Sequence, residues 1–240
     1  MRYVLVLSLM ISFPSLVHGG DEATLHFIGF SPDGQYLAFE QFGWYDGSGF
    51  PYSEIVFVNV PKNSFVCTPI LVSLDEDEWD ESARDRAREH AHERFLDLGI
   101  IEGNTGYHLK TQARHEPDID PHFVRLSGSD LPLDSLGKYF QYAVRLTEIE
   151  YDIPDDLPLA YGPPQMLELS IEAPDILDPL ILQRDSELPS RRANVLSYHI
   201  SDVYLYRHEE NTYIAVFISY MQPGFEGPDF RYMVVTGSLP

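Results

Sequence analysis

The best metal candidate in the chain is His115-Glu116-Pro117-Asp118-Ile119-Asp120-Pro121-His122. Side chains alternate between faces in an extended segment, so Asp118, Asp120 and His122 point to one side. Carboxylate and imidazole groups are adequate ligands for zinc or a harder divalent ion. This run carries the reading of a metal-dependent or carboxylate-based hydrolase. Its spacing matches no established ligand motif, and Pro117 and Pro121 equally fit an ordinary exposed linker. Elsewhere the chemistry is thinner. Asp46-Gly47-Ser48-Gly49 sets a serine between glycines, but the spacing is not G-x-S-x-G and no helix follows. Asp75 to Glu78 is acidic but lacks the glycine and alternating ligands of a calcium loop. His90 and His92 stand two apart on a helix and do not share a face. Cys67 is the only cysteine, which excludes an intramolecular disulfide, and a buried inert thiol is expected there. No motif asks for a cofactor.

Recognition is better represented than catalysis. Trp44 to Tyr52 and Gly224 to Asp229 are loops that mix glycine, aromatic rings and carboxylates. Trp44, Asp46 and Tyr52 in the first, with Phe225, Glu226 and Asp229 in the second, form a candidate binding surface for a protein or glycan. The alternative is that the rings merely pack each loop onto its sheet.

The elements that must position these groups are mostly short strands. Leu25–Phe30, Tyr36–Phe42, Glu54–Val60 and Phe65–Leu74 read as strands, with Ser31-Pro32-Asp33-Gly34 as a tight turn and Pro69 marking an edge. Ser82 to Leu98 is the one convincing helix. Asp80 or Ser82 can cap its start, and Gly99 ends it. Ala83, Ala87, Ala91 and Phe95 make a narrow stripe suited to lying on a sheet, and most of the arginines Arg84, Arg86, Arg88 and Arg94 can pair with Asp or Glu along the helix. Further strands are expected at Tyr107–Thr111, Phe123–Leu126, Tyr139–Glu150, Gln165–Glu172, Asp178–Asp185, Ser197–Tyr206, Thr212–Tyr220 and Phe230–Thr236. The fold class is mainly β, with propeller-blade-like or sandwich-like antiparallel sheets and one connector helix at about 80–98.

The chain has 240 residues, 44% of them hydrophobic and 13% aromatic, which suits a globular fold. Its 16 Lys and Arg against 38 Asp and Glu give a net charge of −22. That balance argues against nucleic acid and anionic membrane surfaces, both of which need clustered Lys and Arg. Residues 1–20 have the layout of a signal peptide. Arg2 precedes an apolar run from Val4 to Val17, and Val17 and Gly19 suit cleavage after Gly19 or Gly20. The run is too short and too broken by Pro14 for the roughly 20 apolar residues of a spanning helix. No stable membrane span is expected after cleavage, and the destination is the periplasm or the exterior. Residues 21–240 then form a single β-rich domain.

Tyr36–Val60 and Tyr213–Gly237 align without a gap. Tyr36 meets Tyr213, Ala38 meets Ala215, Gly47 meets Gly224 and Pro51 meets Pro228. Two blade-like units, at about 25–74 and 197–237, are the expectation. FSPDGQYLAFE followed by EIVFVNV resembles one blade of TolB-like and WD-repeat β-propellers. Over nearly its full length, the chain also resembles an uncharacterised bacterial family of predicted secreted proteins. The leader, FIGFSPDGQYLAFE, DGSGFPY, the helix after the acidic run and GFEGPDFRYMVVTG carry that resemblance. It implies export and a β-rich fold, and no known activity. The leading reading is an exported non-enzymatic binding or assembly factor that meets an envelope protein or glycan through the two loops.

Overall fold

A computed structural model describes residues 20–75, 78, 82–126, 142–152, 162–173 and 177–239. The leader, apart from Gly20, and most of the acidic run before the helix lie outside the described residues, as does the candidate cap Asp80. Among the described residues three antiparallel sheets are stacked face to face, with a helix as a fourth layer.

The front sheet contains β1 (Thr24–Phe30), β2 (Tyr36–Trp44) and β3 (Pro51–Asn59), with β4 (Ser64–Phe65) and β5 (Ile70–Ser73) both paired to β3. The turn between β1 and β2 forms as its residues dictate. Ser31 Oγ donates to Asp33 Oδ1 at 2.6 Å, Asp33 Oδ1 also accepts the Gln35 amide at 3.0 Å, and Gly34 takes the left-handed conformation at φ 72°. The helix α1 (Ala83–Leu98) is capped by Ser82, whose side chain accepts the Asp85 amide at 3.2 Å, and is closed by Gly99. Ala83, Ala87 and Ala91 are buried against Ile28, Ala38, Ile55 and Phe57 of the front sheet. Small side chains let the helix approach closely, and Phe95 meets the Phe57 ring at 5.0 Å.

The central sheet contains β6 (Tyr107–Thr111), β11 (Ser197–His208), β12 (Asn211–Pro223) and β13 (Pro228–Leu239). The outer sheet runs through β7 (Phe123–Leu126), β8 (Tyr142–Glu150), β9 (Gln165–Glu172) and β10 (Leu180–Arg184). Every residue from Tyr213 to Tyr220 is buried, because β12 is covered on both faces. Tyr213, Ala215 and Phe217 pack on Phe27, Phe39 and Val56 of the front sheet. Ile214, Val216 and Ile218 pack on Val144, Leu167 and Leu169 of the outer sheet. Each such fully buried aliphatic or aromatic side chain contributes about 1.5–3 kcal/mol. The outer sheet shows plain alternation. Val144 and Leu146 are buried, whereas Arg145 and Thr147 are exposed.

The helix covers one end of the stack and solvent the other, so the sheets form a sandwich-like series with no closure into a ring. The resemblance to a propeller blade is not confirmed at the level of the whole fold. The two aligned hairpins differ in register. Tyr36 pairs with Asn59, whereas Tyr213 pairs with Ser238, not with Thr236 as the gapless alignment would require. Their faces do correspond. Ala38 looks toward the helix and Ala215 toward the front sheet, so the matched positions face the same way through the stack.

Candidate functional site

The tips of the β2–β3 and β12–β13 hairpins lie side by side. Trp44 pairs with Pro51 at the mouth of the first, and Pro223 with Pro228 at the mouth of the second. Asp46 Oδ2 accepts the backbone amide of Glu226 at 2.5 Å. Gly47 is left-handed at φ 81°, and a Cβ there would stand 3.0 Å from the Phe225 ring, so a side chain would be both strained and crowded. The contact leaves Phe225 82% and Trp44 66% exposed. Exposed rings of this size on adjacent tips are the most conspicuous apolar surface of this rim.

Beneath the tips, the remaining candidates hold the rim together. Tyr52 is buried, because strand alternation puts it on the inner face of β3 beside Glu54. Its hydroxyl donates to Asp21 Oδ1 at 3.2 Å, and its ring stacks on Tyr45 at 4.5 Å. Asp21 is itself buried and ion-paired with Arg231. Burial pushes the Asp21 carboxyl up, Arg231 pulls it down, and the net direction is upward with help from Asp229. Asp229 Oδ1 accepts the Asp21 amide at 3.0 Å. The Phe230 amide donates to Asp21 O at 2.8 Å and the Ala23 amide to Phe230 O at 3.1 Å, which adds the segment from Asp21 to Ala23 alongside β13. Thus Trp44, Phe225 and Glu226 face outward, while Asp46, Tyr52 and Asp229 brace them. Between this rim and the start of the helix lies a groove of about 320 Å³ lined by Phe42, Trp44, Phe50, Leu74, Ser82 and Arg84.

Asp118, Asp120 and His122 are not gathered into one ligand set; among the described residues no group of His, Cys, Asp and Glu is placed to hold a metal ion. Asp120 Oδ1 accepts the His122 amide at 2.9 Å. His122 Nε2 lies 3.3 Å from Glu148 Oε1 and 3.1 Å from Tyr198 O. The Glu148 bond raises the His122 pKa against the effect of burial.

Among the described residues, one densely bonded carboxylate was not apparent from spacing. Glu40 is wholly buried on the helix face of β2. Arg84 donates Nε to Oε1 and Nη2 to Oε2, each at 2.8 Å. Arg88 Nη2 reaches Oε2 at 3.2 Å, Ser53 Oγ donates to Oε1 at 2.9 Å, and His26 Nδ1 lies 3.3 Å away. Burial pushes the carboxyl up, but the bonds from Arg84 and Ser53 and the charges of Arg84 and Arg88 outweigh it and hold the pKa at about 2. The expectation that the helix arginines pair along the helix therefore fails for Arg84 and Arg88, which reach across to the sheet. The available signal was an acidic residue inside an apolar strand together with an arginine-rich helix. Cys67, expected to be buried, is half-buried.

The stacked antiparallel sheets, with the helix as an outer layer, define a mainly β, sandwich-like protein. The chain belongs to a family described as predicted secreted proteins (DUF2259), whose model matches residues 38–238. No curated protein matches it. No helix among the described residues is long and apolar enough to cross a membrane.

Proposed function

We propose that this protein is a non-enzymatic binding or assembly factor of the periplasm or cell exterior, and that it engages an envelope protein or glycan through the joined hairpin tips. The supporting observation is the contact of Asp46 with the Glu226 amide, which braces two tips while leaving Trp44 and Phe225 exposed. Aromatic faces bind the apolar faces of sugars or side chains, and neighbouring carboxylates accept hydroxyl or amide protons. Bracing by Tyr52, Asp21 and Arg231 reduces the ordering cost of binding. Affinity capture from the envelope of the native host, with wild type compared to the double variant Trp44→Ala/Phe225→Ala, tests the proposal. Partner recovery is expected to fall at least about tenfold, the scale of truncating a central aromatic anchor. Equal recovery from both proteins sinks it.

A further inference from the structure

Behind the rim, a cavity of about 420 Å³, within the range of small-molecule sites, is bounded by the front and central sheets and by the 3-10 turn Ser190–Arg192. Phe39, Val56, Val58, Tyr220, Tyr232 and Met233 make its walls largely apolar and aromatic. One carboxylate, Glu54, stands on this wall, with two arginines, Arg191 and Arg192; the charge of Arg192 is already met by Asp185, which accepts hydrogen bonds from both its terminal nitrogens at 2.8 Å. Gln41 holds Glu54 there, donating Nε2 to Glu54 Oε2 at 2.7 Å while its own Oε1 accepts the Tyr232 amide at 2.8 Å. Gln41 is 3% exposed and Glu54 9%, so the carboxylate is buried and fixed from behind.

The other oxygen of Glu54 is taken by Arg191, which arrives from the short 3-10 turn Ser190–Arg192. The Arg191 side chain is 48% exposed, and its guanidinium lies 5.8 Å from the ring of Phe65, which is itself half exposed. The two partners therefore differ in how easily they leave. Arg191 can swing its charged head into water on a flexible stem. Glu54 cannot move without orphaning Gln41 and itself. An anionic ligand on the remaining N–H groups of Arg191 would stand beside the Glu54 carboxylate and be repelled by it. A cationic one needs only to replace Arg191, and Gln41 keeps the carboxylate in place meanwhile. The aromatic walls favour a cation with an apolar body, and a net charge of −22 raises the local concentration of cations.

We propose that this cavity binds a small organic amine with an apolar body, its ammonium group on Glu54 in the place that Arg191 takes in this structure. The site is separate from the rim and does not depend on it. Calorimetric titration of the protein with 2-phenylethylamine, and with 2-phenylethanol as the neutral isostere, tests this. The amine is expected to bind at least about tenfold more tightly than the alcohol, because only the amine pairs with the buried carboxylate. Glu54→Gln should weaken the amine by a similar factor. Arg191→Ala should tighten it several-fold, roughly by the reciprocal of the fraction of sites that Arg191 leaves open. Trp44→Ala/Phe225→Ala should leave amine binding unchanged, which separates failure here from failure of the rim. Equal binding of amine and alcohol overturns the proposal, as does an Arg191→Ala variant that binds the amine no better than wild type. Arg191 is half exposed on a short turn, so its variant decides the matter even where Glu54→Gln fails to fold.

Discussion

Glu40 and Glu54 occupy neighbouring rungs of the same β2–β3 ladder, Glu40 across from Ile55 and Gln41 across from Glu54, but they face opposite ways. Glu40 looks toward the helix and is met by Arg84, Arg88, Ser53 and His26. Glu54 looks toward the central sheet and is met by Gln41 and a half-exposed arginine beside open space. A buried carboxylate whose oxygens are saturated by fixed donors is a structural lock. One fixed on a single side, with a removable cation on the other, is a receptive group. The difference comes from the covering layer. The helix lies close through its alanine stripe, whereas the face that carries Glu54 borders a cavity.

This contrast can be broken at several points. Glu40→Gln should cost roughly 2–3 kcal/mol in urea denaturation, since it removes the charge from a wholly buried carboxylate that binds Arg84 and Arg88, themselves partly open to solvent; an unchanged midpoint would remove the lock. Acid should act on the same residue. Folding lowers the Glu40 pKa from 4.5 to about 2, so its contribution is complete above pH 4.5 and lost as pH falls toward 2. A stability curve flat across that interval, or one that Glu40→Gln does not flatten, would contradict the assignment. Glu54→Gln should cost only about 1 kcal/mol, because Gln41 retains an acceptor and Arg191 can turn to solvent. A loss as large as that at Glu40 would erase the distinction between the two sites. The smallest effect is expected in the outer sheet. Glu148 raises the pKa of His122, so their pair is fully stabilising below pH 6.5 and fades as pH rises through the raised value. With His122 more than a third exposed, the change should stay under about 1 kcal/mol, and His122→Gln should abolish it in pH-dependent melts.

The candidate rim was partly legible in the chain. Glycine, aromatic and acidic residues marked both tips, and the gapless alignment of the hairpins hinted that the tips belong together. That Tyr52 and Asp229 support the surface from beneath was not legible. Their roles depend on Asp21, which joins β13 across most of the chain length. The metal candidate illustrates the opposite error. Alternation in an extended strand would align Asp118, Asp120 and His122, but Asp118 adopts φ 75° and Asp120 caps the His122 amide, so the segment turns.

By itself, the sequence determined what depends on near neighbours: the Ser31–Gly34 turn, the strand periods, the Ser82 cap and the alanine face of the helix. These follow from torsional preference and hydrophobic spacing over a few residues. Only the tertiary structure decided that β12 is buried on both faces, that β6 joins β11, and that Arg84 and Arg88 meet Glu40. It also decided that Glu54 stands beside a cavity. Those outcomes depend on which sheet covers which face and how closely, and a local pattern carries the polarity of a face but not the identity of its partner.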